Sequence, residues 1–314
     1  MLIRWLKALA GIVILALLSW YLAIHWYELK PILRLSPLNL TLLYTISVAG
    51  IYIGALAQKI LFRALGVKTH LWDMFVLLNV TYLLSYVPMK FGTFFKASYL
   101  KTHYNLSYAH FGVSVMYLTL IMTLITPLVG AALLLTVYDI KTWEAQLLLL
   151  VFVISMLASF LLLFAPIPMP KGENRISKIL RNFLQGRKSV MKDKKTLFES
   201  ALLMNTSFIL SSARIGIVYN CLGQHLSPAG FLILGTVGYV LIFINITPGS
   251  IGIREVALGA VASVLGVPLS IGMSAALIDR AIALSYSFIV GGICTIMLWR
   301  KAPDDFKKPL PQQS

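Results

Sequence analysis

The chain has 314 residues, 59% hydrophobic and 12% charged, and carries a formal net charge of +16 from 27 Lys and Arg against 11 Asp and Glu. So much apolar surface excludes a soluble domain, and several runs approach the roughly 20 apolar residues that cross a bilayer core of about 30 Å. The positive excess reads as loops on the cytoplasmic face meeting anionic lipid rather than as a nucleic-acid surface. Cys221 and Cys294 lie far apart in apolar segments and the five histidines share no ligand spacing, so no disulfide framework, metal centre or cofactor is expected.

In chain order, the predicted spans are about 6–26, 38–62, 71–87, 108–138, 145–165, 197–222, 227–247 and 269–299. The first is long, ends in aromatics and lacks a small-residue cleavage site, so it reads as a retained helix rather than a signal peptide. Two shorter segments interrupt the series: 88–104, opening "PMKFGTFFKASYLK", and 248–266, opening "PGSIGIREVAL". The loop 166–196 is dense in Lys and Arg and predicts an interfacial basic helix near 174–191. The expected fold is all-α and polytopic, with about eight long transmembrane helices plus two broken or re-entrant segments. It forms one membrane domain: a first repeat at about 71–165, the basic loop, a second repeat at about 197–300 and a tail from 301.

Loop charge orients this series. Arg4 and Lys7 place the N-terminus in the cytoplasm, and Lys59, Arg63 and Lys68 place the second connection there. If only the eight spans crossed, the basic 166–196 loop would fall outside, against the positive-inside tendency. If the interrupted segments also penetrate, every basic cluster becomes cytoplasmic, the basic C-terminal tail included. The nearly neutral connections 139–144 and 223–226 then face outward. The expected location is the inner, cytoplasmic membrane.

The interrupted segments share Pro-x-x-x-Gly, at Pro88 with Gly92 and Pro248 with Gly252. Pro168–Gly172 and Pro268–Gly272 fit the same pattern, so the context carries the signal. Each copy follows an apolar span, contains basic residues and precedes an unusually long apolar run. In the topology above the two copies run in opposite directions, as in inverted-repeat transporters with sites near mid-membrane. Pro breaks the helical ladder and Gly admits a close approach. Irregular backbone survives at membrane depth only when buried in protein or lining a wet cavity. A half-helix starting after such a break offers its N-terminal amides to an anion.

"VPMKFGTFFKASYL", "ITPGSIGIREVAL" and "ALIDRAIAL" together resemble the paired motifs of the lysylphosphatidylglycerol synthase transmembrane-domain family, over roughly 10–300. That family includes the flippase part of the multiple peptide resistance factor and stand-alone relatives. The second motif is intact at Pro248, Gly249, Gly252, Arg254 and Glu255, and Arg280 fits a later arginine. In the first, Thr93 stands where the family has Glu and Lys96 where it has Arg, and "VMYLTL" around Met116 replaces an expected Glu-Arg pair. The resemblance implies a lipid flippase. The soluble aminoacyl-transfer domain of bifunctional relatives has no counterpart here, so lipid aminoacylation is not expected.

Arg254 and Glu255 are adjacent and point apart on a helix, so each needs its own partner. Burying an arginine at mid-membrane costs about 2.5 to 3.5 kcal/mol, so it faces a partner or water. Its role is either a salt bridge holding the broken helix or a grip on a lipid phosphate. Glu255 with Arg280, or Arg254 with Asp279, makes a neutralising pair, leaving one cation free for substrate. Arg214 either joins this group or snorkels to the outer interface. Lys90 and Lys96 present charge to a cavity, Lys101 with His103 anchors an interface, and Asp73 caps a solvated helix end. Asn79, Asn205 and Asn245 read as interhelical hydrogen-bond formers.

The leading expectation is a translocase for an anionic phospholipid, an aminoacyl-phospholipid or a polyprenyl-phosphate-linked lipid, not an enzyme. With no Walker motif, transport is passive or coupled to an ion gradient. The alternatives are a polyprenyl-phosphate-dependent glycosyltransferase and a non-transporting partner of a lipid-modifying enzyme. A glycosyltransferase is disfavoured because loop 27–37 holds only Glu28. Membrane lipids are the expected partners, with a homo-oligomer or a lipid-modifying enzyme as further ones.

Overall fold

The computed structural model describes residues 35–87, 91–138, 140–165, 174–241 and 253–305, which are helical throughout their regular parts. The predicted first span, Pro88, Lys90, Asn245, Pro248, Gly249 and Gly252 lie outside the described residues. The helices are α1 (Pro37–Ala64), α2 (Leu71–Leu84), α3 (Phe91–Tyr104), α4 (Tyr108–Val137), α5 (Trp143–Phe164), α6 (Arg175–Lys192), α7 (Lys194–Cys221), α8 (Pro228–Val240), α9 (Ile253–Val264) and α10 (Leu269–Tyr286). The last continues through a π segment, Ser287–Gly291, into α11 (Gly292–Asp305).

Polar residues at the breaks set the helix starts. The side chains of Ser36, Ser107, Thr142, Asn174, Asp193 and Ser227 each accept a bond from an amide in the first turn, meeting donors that a helix leaves open. Gly66, Gly223 and Gly266 follow α1, α7 and α9 at φ of 80°, 73° and 83°, the left-handed stop that glycine accepts without strain.

Five of the described helices are long and apolar enough to cross a membrane: α1, α4, α5, α7 and the run Leu269–Arg300. Helix α2 is shorter than its predicted span, with 14 residues, about 21 Å at 1.5 Å per residue, below the thickness of a bilayer core. The described part of the span at 227–247 is α8, with 13 residues. Each of these two helices packs against the next one in the chain. The Tyr104 hydroxyl at the end of α3 donates to Asp73 Oδ2 in the first turn of α2, at 2.6 Å, so α2 and α3 form a hairpin with both outer ends at one level. Asp73 is therefore bonded, not merely a solvated helix end. Gly92 lets the two backbones meet, because a Cβ there would collide with the Thr81 carbonyl oxygen.

Two ends of the bundle emerge from the contacts. At one, Asp73 meets Tyr104, and Trp72 and Asp73 lie near Met297 and Leu298 of α11. Gly186 of α6 sits against His110 at the start of α4. Arg187 Nη2 donates to the Leu163 and Ala165 carbonyls at 2.6 and 2.8 Å, closing the end of α5. At the other end Asn39 reaches Cys221 Sγ at 3.1 Å and Tyr138 bonds Ser227 at 3.0 Å. Lys59, Arg63, Lys68, Lys101 and the basic residues of α6 all belong to the first end. The second end holds the connections 138–144 and 222–227. The basic loop helix differs from expectation in one respect. Part of its apolar face, with Leu184 and Val190 buried, packs on α4 rather than lying in the interface.

Helix lengths repeat along the chain. Helices α1, α2, α3 and α4 have 28, 14, 14 and 30 residues. Helices α7, α8 and α9 have 28, 13 and 12, and the run from α10 has 32. Leu-Gly ends both α1 and α7, at Leu65–Gly66 and Leu222–Gly223. Packing is reciprocal: α2 lies against the π segment and α11, and α8 lies against α4. Both crossings fall where the long helix is irregular. The Tyr286 hydroxyl donates to Asn79 Oδ1 at 2.9 Å beside the π segment, and Thr236 Oγ1 donates to the Thr126 carbonyl at 3.0 Å beside Pro127.

Candidate functional site

Helices α9 and α10 form a tight antiparallel pair. A Cβ on Gly272 would lie 2.7 Å from Ala262 Cβ and 2.9 Å from Gly259 Cα, so small residues set the spacing. That register aligns the charges 25 positions apart. Arg280 Nη1 contacts Glu255 Oε1 at 2.9 Å, and Arg254 Nη2 contacts Asp279 Oδ2 at 2.9 Å. Two adjacent residues on α9 thus find two adjacent residues on α10, and both pairs expected from the sequence form together.

The third arginine changes the balance. Arg214 of α7 does not snorkel: its side chain is 16% exposed, its Nη2 lies 2.8 Å from Asp279 Oδ1 and its Nη1 donates to Ser47 Oγ at 3.1 Å. One carboxylate is therefore shared by two guanidiniums from different helices. The expectation of a single arginine left without a carboxylate is corrected to three cations on two anions, with the excess charge spread over Arg214 and Arg254. Arg254 is the open member, at 30% exposure against 3% for Asp279. On the other flank of Asp279, a cavity of about 10 Å³ lined by Ile215, Tyr219, Leu234, Leu258 and Ala275 has room for about one water.

Depth follows from helical rise. Ser47 is ten residues from the start of α1 and Asp279 ten from the start of α10, so both lie about 15 Å in from the neutral end. An ionised group at that depth costs several kcal/mol unless paired. This explains why each carboxylate meets an arginine.

Lys96, expected to face a cavity, is 7% exposed and donates to Gln58 Oε1 of α1. Among the described residues it has no carboxylate partner. It belongs to the hairpin of α2 and α3, away from the arginines, so the structure brings Arg214, Arg254, Glu255, Asp279 and Arg280 together and leaves Lys96 apart. Lys101 lies over the Tyr108 ring at 4.6 Å and His103 stacks on Tyr99 at 4.0 Å, local contacts at the basic end. Asn79 bridges to α10, whereas Asn205 bonds its own Ala201 carbonyl.

Sequence reading missed the polar face of α1. Tyr44, Ser47 and Gln58 recur at helical spacing, and they contact Ser285, Arg214 and Lys96 respectively. One face of a long apolar helix thus joins both charged sites, over about 16 Å between Ser47 and Gln58. Three polar residues on one helical face of a long apolar span were the available signal.

An apolar all-helical exterior around an ionised interior network defines a multi-pass integral membrane protein. The chain belongs to the family described as the lysylphosphatidylglycerol synthase TM region, whose profile matches residues 8–291. No curated protein and no solved structure is similar enough to the chain to register as a match.

Proposed function

We propose that this protein is a lipid translocase, built as an inverted repeat, that moves a lipid headgroup through the protein while the acyl chains stay in the bilayer. The observation that carries it is Asp279, shared between Arg214 of α7 and Arg254 of α9 deep in the membrane. A carboxylate clamped by two guanidiniums occupies a position suited to a phosphate, for which arginine's planar fork is well matched. When a phosphate arrives at the open Arg254, it competes with Asp279 for the same donors.

The helix series supports this reading. Set α1–α4 matches α7–α10 in length, and the hairpin α2–α3 opens at the basic end. Helices α8 and α9 are the corresponding pair, with the connections around Ser227 and Val267 at the neutral end. In this reading the two helix pairs are re-entrant hairpins of opposite orientation, the architecture in which transporters hold their cargo near the membrane centre. In this reading the first repeat, expected at about 71–165, gains α1 and loses α5, whereas the second, expected at about 197–300, already began with α7. The basic end faces the cytoplasm by the positive-inside tendency. The cargo keeps its covalent bonds, so no catalytic residue is assigned.

The test is translocation of a fluorescent phosphatidylglycerol in proteoliposomes, followed by quenching of the accessible leaflet. Arg254→Gln should slow translocation by about tenfold or more, the loss of one charge-assisted contact, while thermal stability and membrane insertion change little. An unaltered rate in the folded variant refutes the reading.

A further inference from the structure

Among the described residues the interior can be charted by sign, set beside the eleven acidic residues of the sequence. Asp73 and Glu144 sit in the first turns of α2 and α5, Asp193 caps α7, and Glu199 pairs with Lys195 at 3.8 Å on the rim. Asp304 and Asp305 follow Arg300, and Glu28, Asp139 and Glu173 fall outside the apolar runs of the sequence. The two that remain, Glu255 and Asp279, are both held by arginines. The described interior therefore carries three arginines, Arg214, Arg254 and Arg280, on two carboxylates, and one buried lysine, Lys96, bonded to neutral Gln58. The segment 242–252, outside the described residues, contains no charged side chain.

That balance bears on the headgroup. A lysyl-substituted phosphatidylglycerol carries one phosphate and two ammonium groups, and each ammonium needs a carboxylate or several neutral acceptors once desolvated. Both interior carboxylates are already engaged, and releasing either one strands an arginine. A headgroup with a phosphate and no ammonium meets the opposite situation. Lys96 has three donors and uses one on Gln58 Oε1. Gln58 carries an amide NH2 as a further donor. Along α1, this pair and the arginine cluster lie about 16 Å apart, so a phosphate passing along that face meets hydrogen-bond donors at two successive points.

Resting on the translocase reading above, we propose that the cargo headgroup is net anionic. It is a phosphodiester or phosphomonoester without an amine, held by Lys96 with Gln58 as well as by the arginine cluster, and an aminoacylated, cationic headgroup is excluded. The site thus departs from the substrate that the family's description suggests.

The experiment is native mass spectrometry of the full chain in nanodiscs offering phosphatidylglycerol, lysyl-phosphatidylglycerol and zwitterionic phosphatidylcholine with matched acyl chains. Wild type should retain phosphatidylglycerol over lysyl-phosphatidylglycerol by about tenfold or more, the scale of one desolvated charge contact. Gln58→Glu, nearly isosteric, gives Lys96 a carboxylate and should reduce that ratio severalfold while keeping the buried lysine paired and the protein folded. Lys96→Gln should do the same. Equal or better retention of the lysyl lipid by wild type overturns the proposal, as does a ratio indifferent to both variants. If phosphatidylglycerol is nevertheless translocated in an Arg254-dependent way, the translocase reading survives that outcome. Retention of neither lipid above phosphatidylcholine, with no translocation, defeats both.

Discussion

The ionic ladder between α9 and α10 rests on residues whose removal has unequal consequences. Glu255 and Arg280 are 5% and 6% exposed. Truncating Glu255 leaves a buried guanidinium short of its carboxylate, a loss of about 3 to 5 kcal/mol. Glu255→Ala should therefore lower the melting temperature of the purified protein strongly, and a further Arg280→Met should recover much of it. Thermal unfolding in one detergent measures both steps, and additive losses in the double variant would contradict the pairing. Arg254 is more open and competes with Arg214 for one carboxylate, so its substitution should act on binding and translocation more than on stability.

At the scale of elements, the hairpin of α2 and α3 depends on close backbone approach. The atoms that a Cβ on Gly92 would meet belong to the backbone of Thr81, Leu84 and Ser85, which cannot rotate aside as a side chain does. Gly92→Leu should cost at least about 1 to 3 kcal/mol by overpacking and loosen the hairpin. A nitroxide pair on Asp73 and Tyr104, which are hydrogen-bonded in the native protein, reports this as a broadened distance distribution in Gly92→Leu. An unchanged distribution would show that the hairpin does not depend on that contact. The π segment at Ser287–Gly291 serves a similar end. Gly291 lies against the Asn79 carbonyl, where a Cβ would come within 2.9 Å, and the widened turn lets α2 cross a helix of 32 residues.

At the scale of the molecule, charge outside the membrane interior is segregated by end among the described residues. Single cysteines placed at Lys68, Lys101 and Lys188 in a cysteine-free background should all be labelled from the cytoplasmic side by an impermeant maleimide. Cysteines at Lys141 and Gln224 should be labelled from the outer side. A mixed pattern within either group would break the proposed topology. Two apolar clusters accompany the division. One surrounds α2 and α3 with Phe62, Leu77 and Leu100, and the other surrounds α8 and α9 with Phe152, Tyr219 and Ile233. Each of these pairs of helices thus contributes to a separate core.

The apolar runs by themselves determined a polytopic all-helical chain, because twenty consecutive apolar residues have few other uses. Charge in the loops determined which connections share an end, since that tendency is local in sequence. The second motif marked Arg254, Glu255 and Arg280, because ionisable residues stand out in an apolar segment. Sequence alone left open which cation meets which carboxylate, and the structure decided it through the Gly259–Gly272 spacing that fixes the register of α9 on α10. Arg214 with Asp279 and Gln58 with Lys96 are separated by 65 and 38 positions. Such pairs depend on how long helices cross, which no local pattern encodes. Helix α2 likewise ends at Leu84, short of the predicted 87, an end that hydropathy alone does not mark.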